Sequence, residues 1–219
     1  MNWKRTVLKK SDIYAIIDTK LFPPKSFSRR IRSLLKNNVK IFQLRDKYSD
    51  LKTIIRYAFR LKKLIKNKGL LIINDHAHVA LICDADGLHI GQKDISIELA
   101  RKILGQDKII GVSANNLTQA IRAQDNKADY IGCGSLFETK TKLDKTIIDK
   151  KIINHLIKKI SIPLFFIGGI TPDRLRLLKD YKIKRIAVCR ALATSKNIDK
   201  TIFEFRKALK EINLSNNTR

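Results

Sequence analysis

Eight short apolar, β-branched runs punctuate the chain, and each is followed by a stretch with apolar residues at three- and four-residue steps. The runs are 14–18 (YAIID), 39–44 (VKIFQL), 70–74 (LLIIN), 86–90 (DGLHI), 108–113 (KIIGVS), 129–134 (DYIGCG), 163–169 (PLFFIGG) and 185–190 (RIAVCR). Intervening stretches such as DLKTIIRYAFRLKKLIKN carry the helical period. Regular strand–helix alternation implies a parallel sheet, because each parallel pair needs a crossover. Eight is also the number that closes such a sheet on itself, whereas open doubly wound sheets more often have five or six strands. The sequence therefore predicts an α/β protein, a single (β/α)8 or TIM barrel over residues 1–219. Residues 1–12 are expected to form a basic N-terminal extension and 213–219 a frayed tail.

Helix-start signals fall where this pattern needs them: Ser49-Asp50, Asn116, and Thr171-Pro172-Asp173 with proline early in the helix. A chain of 219 residues, 44% hydrophobic, can bury one substantial core. Its charge is extreme, with 46 Lys plus Arg against 20 Asp plus Glu and a formal net charge of +26. The basic residues run through nearly all helical stretches and do not gather in one tail, so they read as solvated helix faces. No RNA-binding aromatic motif or zinc-finger spacing accompanies them. Nucleic acid is therefore not the expected partner, although phosphate-bearing small molecules would be drawn to such a chain. No apolar stretch approaches the roughly 20 residues that span a membrane. The start, MNWKRTVLKKSD, is not followed by a signal-peptide core. Cys83, Cys133 and Cys189 have neither paired nor metal-ligand spacing. The expectation is a reduced cytoplasmic protein with small-molecule substrates and no membrane partner, the question of a homo-oligomer staying open.

In a parallel barrel all strand C-termini open on one face, where active sites lie. The second run ends in Gln43, Leu44, Arg45, Asp46 and Lys47, the third in Asn74 and Asp75, and the fourth leads through Gly91-Gln92-Lys93 to Asp94. The fifth gives Ser113 and Asn115, the sixth leads to Thr139, Lys140, Thr141 and Lys142, the seventh ends at Gly168-Gly169, and the eighth at Cys189-Arg190. This inventory suits a polyphosphate held partly through a divalent metal. A carboxylate facing pyrophosphate repels it by about 4 kcal/mol per unit-charge pair at 4 Å and an effective dielectric of 20. Asp75 and Asp94 near a phosphate thus imply an intervening cation, and Mg²⁺ takes one or two carboxylates plus phosphate oxygens. Arg45 can grip phosphate bidentately, with Lys47 and Lys142 as point charges.

Each residue also has a plainer reading. Arg45 and Lys47 can pair with Asp46 and Asp75 as surface ion pairs. Asp75 can cap the helix beginning HAHVALI, Asp94 can cap the one after it, and Gly168-Gly169 can be an ordinary tight turn. His76 and His78 read as non-catalytic, His89 and His155 as structural, and Cys133 and Cys189 as small core residues.

The motifs QLRDK, INDH, DGLHIGQKD, IGVSA, ADYIGCGSLFETKTK and IGGI, in this order from Tyr14 to about Ala193, resemble the thiamine-phosphate synthase (thiamine-phosphate pyrophosphorylase) family. The resemblance implies a transferase that joins 4-amino-5-hydroxymethyl-2-methylpyrimidine diphosphate to a thiazole phosphate with loss of pyrophosphate. It implies that the QLRDK segment (Gln43, Leu44, Arg45, Asp46, Lys47), Asn74, Ser113 and Lys142 hold the pyrimidine diphosphate. Asp75 and Asp94 would bind Mg²⁺, and Arg45, Lys47 and Lys142 would stabilise the leaving group. Thr139, Lys140 and Thr141 would contact the thiazole phosphate, with Gly169 and the Cys189-Arg190 backbone. The chain departs from the family at Arg190, where a small hydroxyl residue is usual, at Ser135, where proline is frequent, and in LDKTIID. A thiazole tautomerase of the same superfamily resembles these enzymes but uses a histidine base shortly after strand five, where this chain has Asn115. A basic nucleic-acid-binding barrel would instead need clustered surface lysines.

Overall fold

The computed structural model describes residues 3–139 and 147–214. Of the site residues predicted from sequence, Lys140, Thr141 and Lys142 lie outside the described residues. A helix α1 (Trp3–Lys10) precedes β1 (Ile13–Asp18), α2 (Phe27–Lys36), β2 (Ile41–Arg45), α3 (Leu51–Ile65), β3 (Leu70–Asn74), α4 (Ala77–Ile82) and β4 (Gly87–Ile90). Then come α5 (Ile97–Leu104), β5 (Ile109–Ala114), α6 (Leu117–Asp125), β6 (Tyr130–Cys133), α7 (Lys151–Lys159), β7 (Leu164–Ile167), α8 (Pro172–Arg176), β8 (Ile186–Val188), α9 (Arg190–Ala193) and α10 (Ile198–Leu214). The eight strands are parallel and pair in sequence order, and β8 returns to β1 to close the barrel. The predicted (β/α)8 fold is the observed one.

Strand side chains alternate between two cores, as the period of two requires. Ile13, Ala15, Ile17, Phe42, Leu44, Leu71 and Ile73 pack outward into the layer beneath the helices. Tyr14, Ile16, Ile41, Leu70, Ile72, Ile109, Tyr130 and Phe165 fill the barrel itself. Leu8 of α1 joins that inner cluster and plugs the N-terminal mouth. The basic leading segment thus supplies a helix with one buried apolar residue. Burying a Leu side chain is worth ~1.5–3 kcal/mol.

Three predicted helix starts are observed. Asp50 accepts from Thr53 N at 2.7 Å, Asn116 from Gln119 N at 2.9 Å, and Thr171 from Arg174 N at 3.2 Å. Asp75 and Asp94 do not cap helices. His76 holds the N-cap position of α4, and Ser96 caps α5 through Leu99 N. The tail also needs correcting at its start: α10 runs through Leu214, and Asn213 Nδ2 donates to Ile183 O at 2.9 Å, tying the helix end to the body. Among the described residues no helix is long and apolar enough to cross a membrane.

Candidate active site

Inward-facing residues at the strand ends build the C-terminal mouth. Asp18 and Arg45 stand directly opposite in the β1–β2 register and form an ion pair. Both are largely withdrawn from solvent, with side chains 3% and 12% exposed. Asp18 escaped notice in the sequence although YAIID ends on it, one strand over from Arg45. Its carboxylate fixes the guanidinium at the barrel mouth. Arg45 therefore pairs with Asp18 and not with Asp46.

Period two also splits the QLRDK segment. Gln43 and Arg45 share the inner face, whereas the Leu44 side chain lies in the outer apolar layer. Asp46 is buried and accepts from Tyr48 N at 3.0 Å and Ser49 N at 2.9 Å, closing the turn into α3. Burial works to raise its pKa, but hydrogen bonds from Thr19, Ser49 and Tyr48 hold it below the usual carboxylate value. Leu44 and Asp46 were predicted to bind substrate, but their side chains serve packing and turn formation.

Lys47 reaches across to Asp75, Nζ to Oδ2 at 2.9 Å, as one of the plainer readings expected. Asp75 adopts a left-handed backbone, φ 64°, which Asp tolerates better than most residues. Its amide donates to His89 O at 2.8 Å, anchoring it beside β4. Asp94 Oδ2 accepts from Gly91 N at 2.6 Å, closing the turn after β4. The two carboxylates thus stand on consecutive loops of adjacent strands. No group of three or more metal-ligating acidic, histidine or cysteine side chains occurs among the described residues. Two hard oxygen donors suit an Mg²⁺ ion that completes its shell with water and phosphate oxygens, so the donor set fits.

Deeper in the mouth, Gln43 Nε2 donates to the Tyr14 hydroxyl at 2.9 Å, and Ser113 Oγ lies 2.9 Å from His89 Nε2. Asn74, also inward-facing, is buried. Tyr14, His89 and Tyr130, for which the sequence predicts no binding role, lie on the same inner face as Gln43 and Ser113.

The opposite side of the mouth is shaped by close backbone approach. Leu136 N donates to Ile167 O at 2.9 Å and Phe137 N to Gly168 O at 3.1 Å, strapping the segment after β6 onto the end of β7. Gly168 and Gly169 have φ of 102° and 62°, and a Cβ on Gly168 would overlap Ser135. Arg174 joins the two segments, donating to Glu138 O at 3.1 Å and Gly169 O at 3.0 Å. A cavity of about 910 Å³ opens here, lined by Arg45, Thr139, Gly169, Cys189 and Arg190 among others. It does not reach Gln43, Lys47, Asn74, Asp75, Asp94 or Ser113, so Arg45 stands at the boundary between two halves of the site. The Cys189 thiol is pushed up to about 12 by burial and by the Asp18 charge, which suits a lining residue and not a thiolate nucleophile.

Comparison with known proteins places the chain in a family. The family model for thiamine monophosphate synthase matches residues 13–192. A thiamine-phosphate synthase of Clostridium botulinum is 35% identical over 202 residues, covering 92% of this chain and 95% of the relative. One from Methanobrevibacter smithii is 40% identical over 172 residues, covering 78% and 82%. The solved thiamine phosphate pyrophosphorylase of Pyrococcus furiosus superposes with a TM-score of 0.82 at 30% identity, covering 95% of this chain and 98% of that one. The chain belongs to the thiamine monophosphate synthase family.

Proposed function

We propose that this barrel makes thiamine phosphate from a hydroxymethylpyrimidine diphosphate and a thiazole phosphate, with the strand ends of β2 to β4 as the diphosphate cradle. The observation that carries this reading is the placement of Arg45, Lys47, Asp75 and Asp94 on three consecutive strand ends of one mouth. In the reaction the bond from the pyrimidine methylene carbon to the diphosphate oxygen breaks, and its electron pair leaves with pyrophosphate. The thiazole ring nitrogen then forms the new carbon–nitrogen bond. Negative charge grows on the departing oxygens, so preorganised cations aimed there lower the barrier. Arg45, already oriented by Asp18, and Lys47 fill that role. Asp75 and Asp94 would hold Mg²⁺, whose chemistry is to neutralise charge on the leaving diphosphate. Gln43, Asn74 and Ser113 position the pyrimidine in the barrel mouth, and the Gly169 side of the cavity receives the thiazole phosphate. No protein nucleophile is needed, in keeping with the protonated Cys189.

The test is to incubate both phosphorylated heterocycles with the protein and Mg²⁺ and to assay chromatographically for thiamine phosphate. Product formation that stops in excess chelator and returns with Mg²⁺ is expected. Absence of product refutes the function, and full activity in chelator refutes the metal role alone.

A further inference from the structure

An unbroken chain of polar side chains crosses the barrel interior beneath the mouth. Gln43 Nε2 lies 2.9 Å from the Tyr14 hydroxyl, which is 2.8 Å from that of Tyr130. The Tyr130 hydroxyl is 2.9 Å from His89 Nδ1, and His89 Nε2 is 2.9 Å from Ser113 Oγ. The Tyr130 ring stacks on His89 at 5.5 Å and meets Phe165 edge-on at 5.8 Å, so packing also holds it in place. Gly111 and Gly132 make the space: a Cβ on Gly111 would collide with the Tyr130 ring, and one on Gly132 would lie 3.2 Å from His89 Cε1. Burial raises the pKa of both phenols, so the chain consists of neutral hydroxyls.

Hydrogen-bond accounting gives the chain a direction. The Gln43 amide nitrogen only donates, so the Tyr14 oxygen accepts from it and the Tyr14 proton goes to Tyr130. Tyr130 then passes its proton to His89 Nδ1, which leaves Nε2 as the protonated nitrogen. Nε2–H donates to Ser113 Oγ, and the Ser113 proton is turned outward. The reverse order would point the buried Tyr14 proton at an amide NH₂, without an acceptor, an arrangement that folded proteins avoid.

We infer that Tyr14, Tyr130 and His89 are positioning residues that fix the hydrogen-bond polarity of the two ends of this relay, so that Ser113 presents a donor and Gln43 its Oε1 acceptor. That pair complements a heteroaromatic ring with an acceptor nitrogen on one edge and an amino donor on another, the pattern of an aminopyrimidine. The recognition step rests on the pyrimidine-binding reading above; the polarity of the relay does not.

Two measurements test it. In ¹⁵N-histidine-labelled protein, with His89 assigned by the resonance lost in His89→Gln, Nε2 is expected to be protonated and Nδ1 bare. A dominant Nδ1–H form overturns the inference whether or not the protein turns over. The Nε2–H form in a chain that makes no thiamine phosphate upholds the relay and fails only the functional reading. Tyr130→Phe, which keeps the ring and removes the hydroxyl, is expected to raise KM for the pyrimidine diphosphate about tenfold, the scale of one hydrogen bond. Inhibition by inorganic pyrophosphate, which needs only the Arg45 and Lys47 side, should stay unchanged. An unaltered KM, or a parallel loss of pyrophosphate affinity, would contradict the positioning role. Tyr14→Phe provides the same test if Tyr130→Phe does not fold.

Discussion

At the N-terminal mouth of the barrel, Asp129 accepts from Ile110 N at 2.8 Å and pairs with Arg5 at 2.9 Å and Arg101 at 2.5 Å. Asp86 there accepts from Leu71 N at 2.9 Å and faces Lys4 at 3.6 Å. At the C-terminal mouth, among the described residues, Asp75 meets Lys47, and Asp94 closes a turn on Gly91. Both ends use aspartates and cations, but in different arrangements. The lower carboxylates precede β4 and β6 and satisfy an amide of the neighbouring strand, so strand alignment depends on them. The upper ones are tied to a flexible lysine or a local turn, partners that a metal-bound diphosphate can share. Residue type does not separate a structural aspartate from a functional one; what its carboxylate holds does. Barrels in general reserve the N-terminal face for stability and the C-terminal face for chemistry.

Changes at the two mouths should therefore have different consequences. Arg45→Ala is expected to lower kcat by about 10²–10³, or ~2.7–4 kcal/mol of transition-state stabilisation, the scale for one preorganised donor. It should also destabilise the fold, because the buried Asp18 carboxylate loses its partner. Adding Asp18→Asn should recover the thermal midpoint but not the rate, and steady-state assays beside melting curves separate the two. Unchanged kinetics in Arg45→Ala would remove the residue from the mechanism.

Asp129→Ala should show the opposite pattern. It strands Arg101, whose side chain is 11% exposed, and leaves Ile110 N without its acceptor. A loss of ~3 kcal/mol is expected from breaking a buried pair, lowering the midpoint by roughly 6–12 °C for a chain of this size. The kcat of the protein that remains folded at 25 °C should not change. A loss of rate without loss of stability would erase the distinction between the mouths.

The smallest effect concerns Asp84, also at the lower end. Hydrogen bonds from Lys108 and Lys62 depress its pKa to about 2, from an unfolded value of 3.8. A depressed carboxylate stabilises fully above the unfolded value, and its contribution fades as pH falls towards about 2. The loss should be slight, because the Asp84 side chain is 77% exposed. Comparing acid unfolding of the wild type with Asp84→Asn checks this: the small advantage of the wild type should be present at neutral pH and vanish as pH falls from about 4 towards about 2, and an advantage that persists undiminished in stronger acid would contradict it.

Most of the framework was legible in the chain. Each apolar run became a strand with ends displaced by no more than three residues, because β-branched residues and crossovers leave few alternatives. The Asp50, Asn116 and Thr171 caps were legible because capping is local. Asp75 and Asp94 were harder, since a left-handed residue and a carboxylate-closed turn depend on how β3 and β4 lie together. Asp18 required the register between β1 and β2, a non-local fact. The side-chain roles of Leu44 and Asp46 were legible in principle, because period two places them opposite Gln43 and Arg45. The inner relay required both the alternation and barrel closure, since its five members come from five strands.

The most direct test of the upper mouth as the diphosphate site is a crystal of the protein soaked with Mn²⁺, in place of Mg²⁺, and pyrophosphate. The expected anomalous peak lies between the Asp75 and Asp94 carboxylates, with pyrophosphate oxygens against Arg45 and Lys47. Pyrophosphate seated instead among Lys62, Lys108 and their neighbours at the lower mouth, with no metal at Asp75, would contradict the account.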